Sequence, residues 1–183
     1  MPLETIPRPD PFDEPEVEVL RGIEVPKVSP RRQHALLQGE LWLLLRHWAG
    51  AHGDAGTEWR MRLSGPSENV ETSLVPDVAY LASVDAARLT DEELEEPPLA
   101  PTIAVEIRSP GDRSRNVDTK IRMYLEAGSL LVLDVDPVRR AIVAHDATGE
   151  RSYTDGMQFE HEGAPGLTFD ITALFNTTKR KRE

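Results

Sequence analysis

Between Val75 and Asp136 the chain reads VPDVAYL (75–81), TIAVEIRSP (102–110), a helical stretch carrying Lys120, and SLLVLDVDP (129–137). The first two runs are apolar, of strand length, and each holds one acid, Asp77 and Glu106. Burying a lone carboxylate costs several kcal/mol unless a cation compensates it. Two acids on neighbouring strands therefore point to a metal site or an ion-paired core. The strand–helix–strand unit from Thr102 to Val135 predicts two parallel strands joined by a crossover helix. That helix runs from about Ser114 to Ala127, with Val117, Ile121, Tyr124 and Leu125 on its buried stripe and Gly128 as its stop. Leu130 to Val135 is almost continuously apolar, as suits a strand covered on both faces.

Upstream of this stretch, Ser29-Pro30 predicts a helix start, with Ser29 as N-cap. Leu37, Leu41, Leu44, Leu45 and Trp48 then recur at helical spacing, and Gly50 and Gly53 end the pattern. Thr57 to Leu63 alternates as a strand, with Trp59, Met61 and Leu63 on one face. Ser64 to Thr72 reads as a polar turn and Ser73 to Leu81 as the next strand. Asp85 to Pro98 is an acidic surface excursion with a short capped helix over Thr90 to Glu95. Downstream, Ala141 to His145 and Arg151 to Tyr153 are hairpin strands, and Asp170 caps a last helix near Ile171 to Phe175. The order is that of a mixed α/β domain spanning residues 29–176. It is preceded by an extended, proline-rich acidic arm (1–28), in which Val17 to Val25 lays down one strand. A basic tail (177–183), expected to be disordered, follows.

A chain of 183 residues suits one domain with a real core. It has no cysteine, which excludes disulfides, thiolate zinc sites and thiol nucleophiles and fits a cytoplasmic protein. The N-terminal stretch lacks the basic start and apolar centre of a signal peptide, and no run is long enough to span a membrane. The formal net charge of −11 argues against a protein that coats nucleic acid non-specifically. It leaves room for a nuclease, because an acidic metal site is itself a source of negative charge.

If their strands are neighbours, Asp77 and Glu106 can meet at one end of the sheet. Two close carboxylates repel unless one is protonated or a cation lies between them. Magnesium or manganese prefers such oxygen ligands, lowers the pKa of a bound water and polarises a phosphoryl oxygen. The alternative is a strand-entry turn at Asp77 and an ion pair of Glu106 with Arg108 or Lys120. Lys120 follows the Glu106 strand on its crossover helix, where it could reach the strand end or simply be solvated. Arg108 lies two residues after Glu106 and so on the same face, which makes it a further catalytic candidate: it could steady an attacking hydroxide or a phosphate oxygen as Lys120 could, or simply hold Glu106 as an ion pair. On the first helix, His34 and Glu40 are six apart and share no face. Of the two, Glu40 is the better candidate for reaching the sheet end, because it adjoins the leucine stripe. Phosphate-binding glycine loops, the Gly-x-Ser-x-Gly elbow and the His-Glu-x-x-His zinc pattern are all absent from the sequence.

PDVAYL, AVEIRSPGD, K-x-x-x-YLEAG and LLVLDVDP, in this order, resemble the Uma-two-like restriction endonuclease family of the PD-(D/E)XK nuclease superfamily. The resemblance runs from about Arg31 to Phe175. It implies a restriction-endonuclease-like fold, a mixed β-sheet with flanking helices, and metal-dependent hydrolysis of DNA phosphodiesters. It further implies that Asp77 and Glu106, with the main-chain carbonyl of Ile107, hold magnesium or manganese, and that Lys120 is the catalytic cation. Asp112, in SPGD, fits a recurring pattern of the family and equally a turn or cap. Arg108 stands where a lysine would complete the motif, and an arginine cannot act as a general base. That departure, with the acidic charge balance, leaves open a second reading: a degenerate nuclease fold used as a binding or assembly module, as a homodimer for example.

Overall fold

The structure is a computed structural model that describes residues 17–27, 31–63, 72–109 and 114–179. Ser29-Pro30, most of the polar turn after Ser64, Asp112, the first sixteen residues and the last four lie outside the described residues.

The elements follow in chain order. The strands β1 (Val17–Leu20) and β2 (Ile23–Pro26) precede helix α1 (Arg32–Ala49). Next come β3 (Gly53–Thr57), β4 (Met61–Arg62), β5 (Ser73–Leu74) and β6 (Val78–Ala82). Two short helices follow, α2 (Ser83–Ala86) and α3 (Asp91–Glu95). The strand β7 (Ile103–Ile107), the helix α4 (Ser114–Glu126) and the strand β8 (Leu131–Asp136) form the crossover unit. The chain closes with β9 (Ala141–Asp146), β10 (Gly149–Thr154), β11 (Gln158–Phe159), β12 (Phe169–Asp170) and α5 (Ile171–Asn176).

Among the described residues the main sheet has the order β10-β9-β8-β7-β6-β3 and a smaller one the order β2-β1-β5-β4. β7 and β8 pair in parallel, with Glu106 opposite Asp134, and α4 crosses between them as the sequence predicts. Strand alternation sorts the main sheet into two faces. Val78, Tyr80, Val105, Ile107, Leu133 and Val135 pack under α1 and α5, joined by Leu37, Leu41 and Leu45. Ala79, Ala104 and Val132 face α4 and the small sheet, with Val117, Ile121, Tyr124, Met61 and Leu74. Each buried leucine of α1 stabilises the fold by about 1.5–3 kcal/mol.

Three segments differ from the sequence expectation. Thr57–Leu63 and Ser73–Leu81 are not two straight strands. β3 pairs with β6 in the main sheet, with Thr57 opposite Val78, and β4 pairs with β5 in the small one, with Met61 opposite Leu74. Both segments cross from sheet to sheet at the same level. Glu58 takes a positive φ of 51° on one side. On the other, Pro76 has no N–H for the ladder. The sharing of one face by Met61 and Leu63 survives the bend, and both are buried. Second, Gly53 begins a strand rather than helping to end α1. A Cβ there would come within 2.3 Å of the Leu81 carbonyl oxygen and 2.5 Å of the Tyr80 ring, so the close approach of β3 to β6 requires glycine. Third, Val17–Pro26 is a two-stranded hairpin rather than a single strand, and β1 joins the domain by pairing Val19 with Ser73.

The N-cap of α1 is Arg31, which makes no side-chain cap bond, and not Ser29. The other two caps are as expected. Thr90 and Glu93 close a capping box on α3, and Asp170 accepts the Ala173 N–H on α5 at 2.6 Å. No helix among the described residues is long and apolar enough to cross a membrane.

Candidate active site

The bend between β5 and β6 puts Asp77 at the mouth of the sheet, where main-chain and side-chain donors converge on it. Asp77 Oδ2 accepts the Ile107 N–H at 2.6 Å and lies 3.1 Å from His34 Nε2. The Gln38 amide donates to the Asp77 carbonyl at 3.0 Å, and Lys27 Nζ donates to the Val75 carbonyl at 3.0 Å, 3.8 Å from Asp77 Oδ1. Burial works to raise the Asp77 pKa, but the hydrogen bond from His34 and the charges of His34, Lys27 and Lys120 outweigh it. The carboxyl is held below its usual range.

Glu106 sits one strand away on β7, 5% exposed, on the face that meets α4. Lys120 and Tyr124 are one helical turn apart and so share the inward side of α4. Lys120 Nζ donates to Glu106 Oε2 at 2.5 Å, and the Tyr124 hydroxyl donates to Oε1 at 2.9 Å. Burial pushes the Glu106 pKa up. Lys120 opposes this and the charges of Asp77 and Glu18 reinforce it, leaving the group at about 7. Burial works to lower the Lys120 pKa, but the charges of Glu106, Glu18 and Asp77 prevail and raise it. Lys120 is therefore a fixed cation at neutral pH.

A third carboxylate comes from the hairpin. Glu18 is 6% exposed, and its Oε1 accepts the Val75 N–H at 2.8 Å and lies 2.9 Å from Lys120 Nζ. Glu18, Lys27, His34, Asp77, Glu106 and Lys120 line one cavity of about 420 Å³, which Ile107 also borders.

The structure thus brings Asp77, Glu106 and Lys120 together. It does not bring Glu40, which is half-buried and does not border the cavity. From α1 the residues that reach Asp77 are His34 and Gln38, because the inward stripe of the helix continues through them to Leu41 and Leu45. Arg108 does not pair with Glu106. Its guanidinium grips Asp134 on the adjacent strand at 2.8 and 2.6 Å, and touches Asp118 at 3.3 Å. Asp112 lies outside the described residues. Sequence reasoning missed Glu18, Lys27, Gln38 and Asp134 and assigned Tyr124 to the apolar stripe alone. Only Tyr124 carried a local signal, its spacing of four from Lys120.

A divalent cation would find hard oxygen donors here: the carboxylates of Asp77 and Glu106 beside the main chain at Ile107. Among the described residues no cluster of three or more His, Cys, Asp or Glu side chains is arranged to hold a metal ion. Magnesium is usually held by one or two carboxylates and completes its shell with water and substrate phosphate.

A family model described as Uma2, "Putative restriction endonuclease", matches residues 4–172. The chain also superposes on the crystal structure of a "putative nuclease belonging to DUF820" from Anabaena variabilis, with a TM-score of 0.79. The match covers 91% of this chain and 93% of that one at 21% identity, which shows a shared fold. Comparison with curated proteins found no match. With nearly its whole length matched by that model, the chain belongs to the Uma2 restriction endonuclease family.

Proposed function

We propose that this chain is a divalent-metal-dependent endonuclease of the PD-(D/E)XK type that hydrolyses DNA phosphodiesters. The observation that carries this reading is the convergence of Asp77 from the β5–β6 bend, Glu106 from β7 and Lys120 from α4 on one cavity at the sheet end. Asp77 and Glu106, with the Ile107 carbonyl, are the groups that would hold magnesium or manganese. When bound, such an ion supplies Lewis-acid polarisation of the phosphate and a more acidic water.

The chain's own residues do the rest. Asp77 keeps its charge through the Ile107 N–H and His34, so it is ready as a ligand at neutral pH. Lys120 keeps its proton. Its part is to stabilise negative charge growing on the phosphate, not to remove a proton from water. Tyr124 fixes the second oxygen of Glu106 and so its orientation. Arg108, committed to Asp134, takes no part in the chemistry, which accounts for an arginine being tolerated there.

The test is cleavage of duplex DNA with magnesium or manganese. The full chain should cut, and Asp77→Asn and Glu106→Gln should remain folded and fail to cut. Protein that binds manganese yet never cuts DNA would overturn the enzymatic reading in favour of a degenerate fold used as a binding module. The overall charge of −11 favours that second reading.

A further inference from the structure

Among the described residues, Glu18 is the buried carboxylate of the cavity that the proposed reaction leaves without a task. It belongs to β1, whose hairpin meets the rest of the small sheet through the pairing of Val19 with Ser73. Its side chain points inward beside Leu20 and ends between the Val75 N–H and the Lys120 ammonium. Lys120 therefore stands between two carboxylates, 2.5 Å from Glu106 and 2.9 Å from Glu18. All three side chains are under 10% exposed, so each ion pair is only weakly screened by solvent.

This arrangement has a consequence for cation binding. Resting on the proposed metal role of Glu106, a metal ion and Lys120 would be competitors for the same carboxylate. A buried ammonium that loses its only counter-charge is strongly destabilised. With Glu106 as sole partner, Lys120 would resist entry of the ion or leave the cavity. Glu18 removes that conflict, because it neutralises Lys120 in place when Glu106 turns to another cation. The Val75 N–H holds Glu18 from the far side, and Val75 immediately precedes the Pro76-Asp77 turn, so both ligand strands sense the same tether.

We infer that Glu18 is a positioning residue that acts through Lys120: it takes over the lysine's charge from Glu106 and so permits a divalent cation to bind without displacing the lysine. Glu18 is no ligand in this scheme. Its removal strengthens the hold of Lys120 on Glu106 and weakens metal binding.

A double-substitution cycle read by manganese calorimetry on the full chain tests this. Glu18→Gln keeps the side-chain length and still offers an oxygen to the Val75 N–H. It should weaken manganese binding by about tenfold, a coupling typical of charged groups in direct contact. In the Lys120→Met background the same Glu18→Gln change should cost several-fold less, because the competitor is gone. Lys120→Gln serves in place of Lys120→Met if the methionine variant does not fold. Glu18→Gln binding manganese like the wild type overturns the proposal. So does an equal loss in both backgrounds, which would mark Glu18 as a ligand or a purely structural group. Wild-type protein that takes up no manganese overturns the metal reading of the site and this proposal together, so the two failures are told apart by the wild-type titration.

Discussion

The Arg108 guanidinium forms a two-point pair with the Asp134 carboxylate, 2.8 Å and 2.6 Å long, although the sequence places Arg108 two residues from Glu106. Glu106 and Asp134 are partners across the parallel β7–β8 ladder and share a face. Each carboxylate thus has its own cation, Lys120 for one and Arg108 for the other. The pairing also raises the Arg108 pKa further, the hydrogen bond to Asp134 being the main cause.

It follows that Arg108→Met should act on stability and not on metal binding. It strands the 5% exposed carboxylate of Asp134. The expected loss is about 2–3 kcal/mol, below the range for a fully buried pair because Arg108 is itself partly exposed. Urea denaturation should show the loss, and adding Asp134→Leu should recover most of it. A drop in manganese affinity with unchanged stability would contradict this assignment.

Tyr124→Phe removes the donor to Glu106 Oε1 and leaves that buried oxygen with one fewer partner. The cost should be about 1–3 kcal/mol, read from the denaturation midpoint. Cleavage should fall but persist, because Lys120 still orients the other oxygen. No change in either measurement would mean that the hydroxyl is idle.

In metal-free protein burial lifts the Glu106 pKa from an ordinary 4.5 to about 7. Between those values the folded state holds a proton that the unfolded chain has released. The contribution of this group to stability therefore declines as pH rises from about 4.5 to about 7, and levels off above. Thermal melting of wild type minus Glu106→Gln across pH 4 to 9 should trace that decline, and a difference that grows with pH would reverse the sign argued here. Manganese binding should strengthen over the same window, since the proton competes with the ion for Glu106.

Gly53→Ala should be destabilising by about 1–3 kcal/mol, because the new Cβ meets the Leu81 carbonyl oxygen and the Tyr80 ring rather than open space. Gly39→Ala on the exposed side of α1, where a Cβ meets nothing within 4 Å, should be neutral to stabilising. Chemical denaturation of the pair separates close approach from backbone freedom. Equal effects would remove the steric explanation for the strand at Gly53.

The parts legible in advance were those with a local period. The leucine stripe of α1, the buried strands β7 and β8, the α4 stripe and the hairpin of β9 and β10 all follow from spacing that a short window contains. The bends at Glu58 and Pro76 were not legible, because alternation continues through them and only the partner strand reveals the change of sheet. Glu40 looked nearer to the sheet than His34 because the stripe alone does not say which end of the helix faces the mouth of the fold.

Hydrophobic period and chain direction were enough to read the α1 stripe, the parallel crossover and the buried strands β7 and β8 from the chain alone. The tertiary structure decided which charge meets which: Lys120 with Glu106 and Glu18, Arg108 with Asp134, His34 with Asp77. Those pairings depend on the bend that sets Asp77 at the sheet end and on the docking of a hairpin more than fifty residues away from it in the chain. A carboxylate selects its cation by distance in space and by exclusion of water, and neither quantity is written in the spacing of residues along the chain.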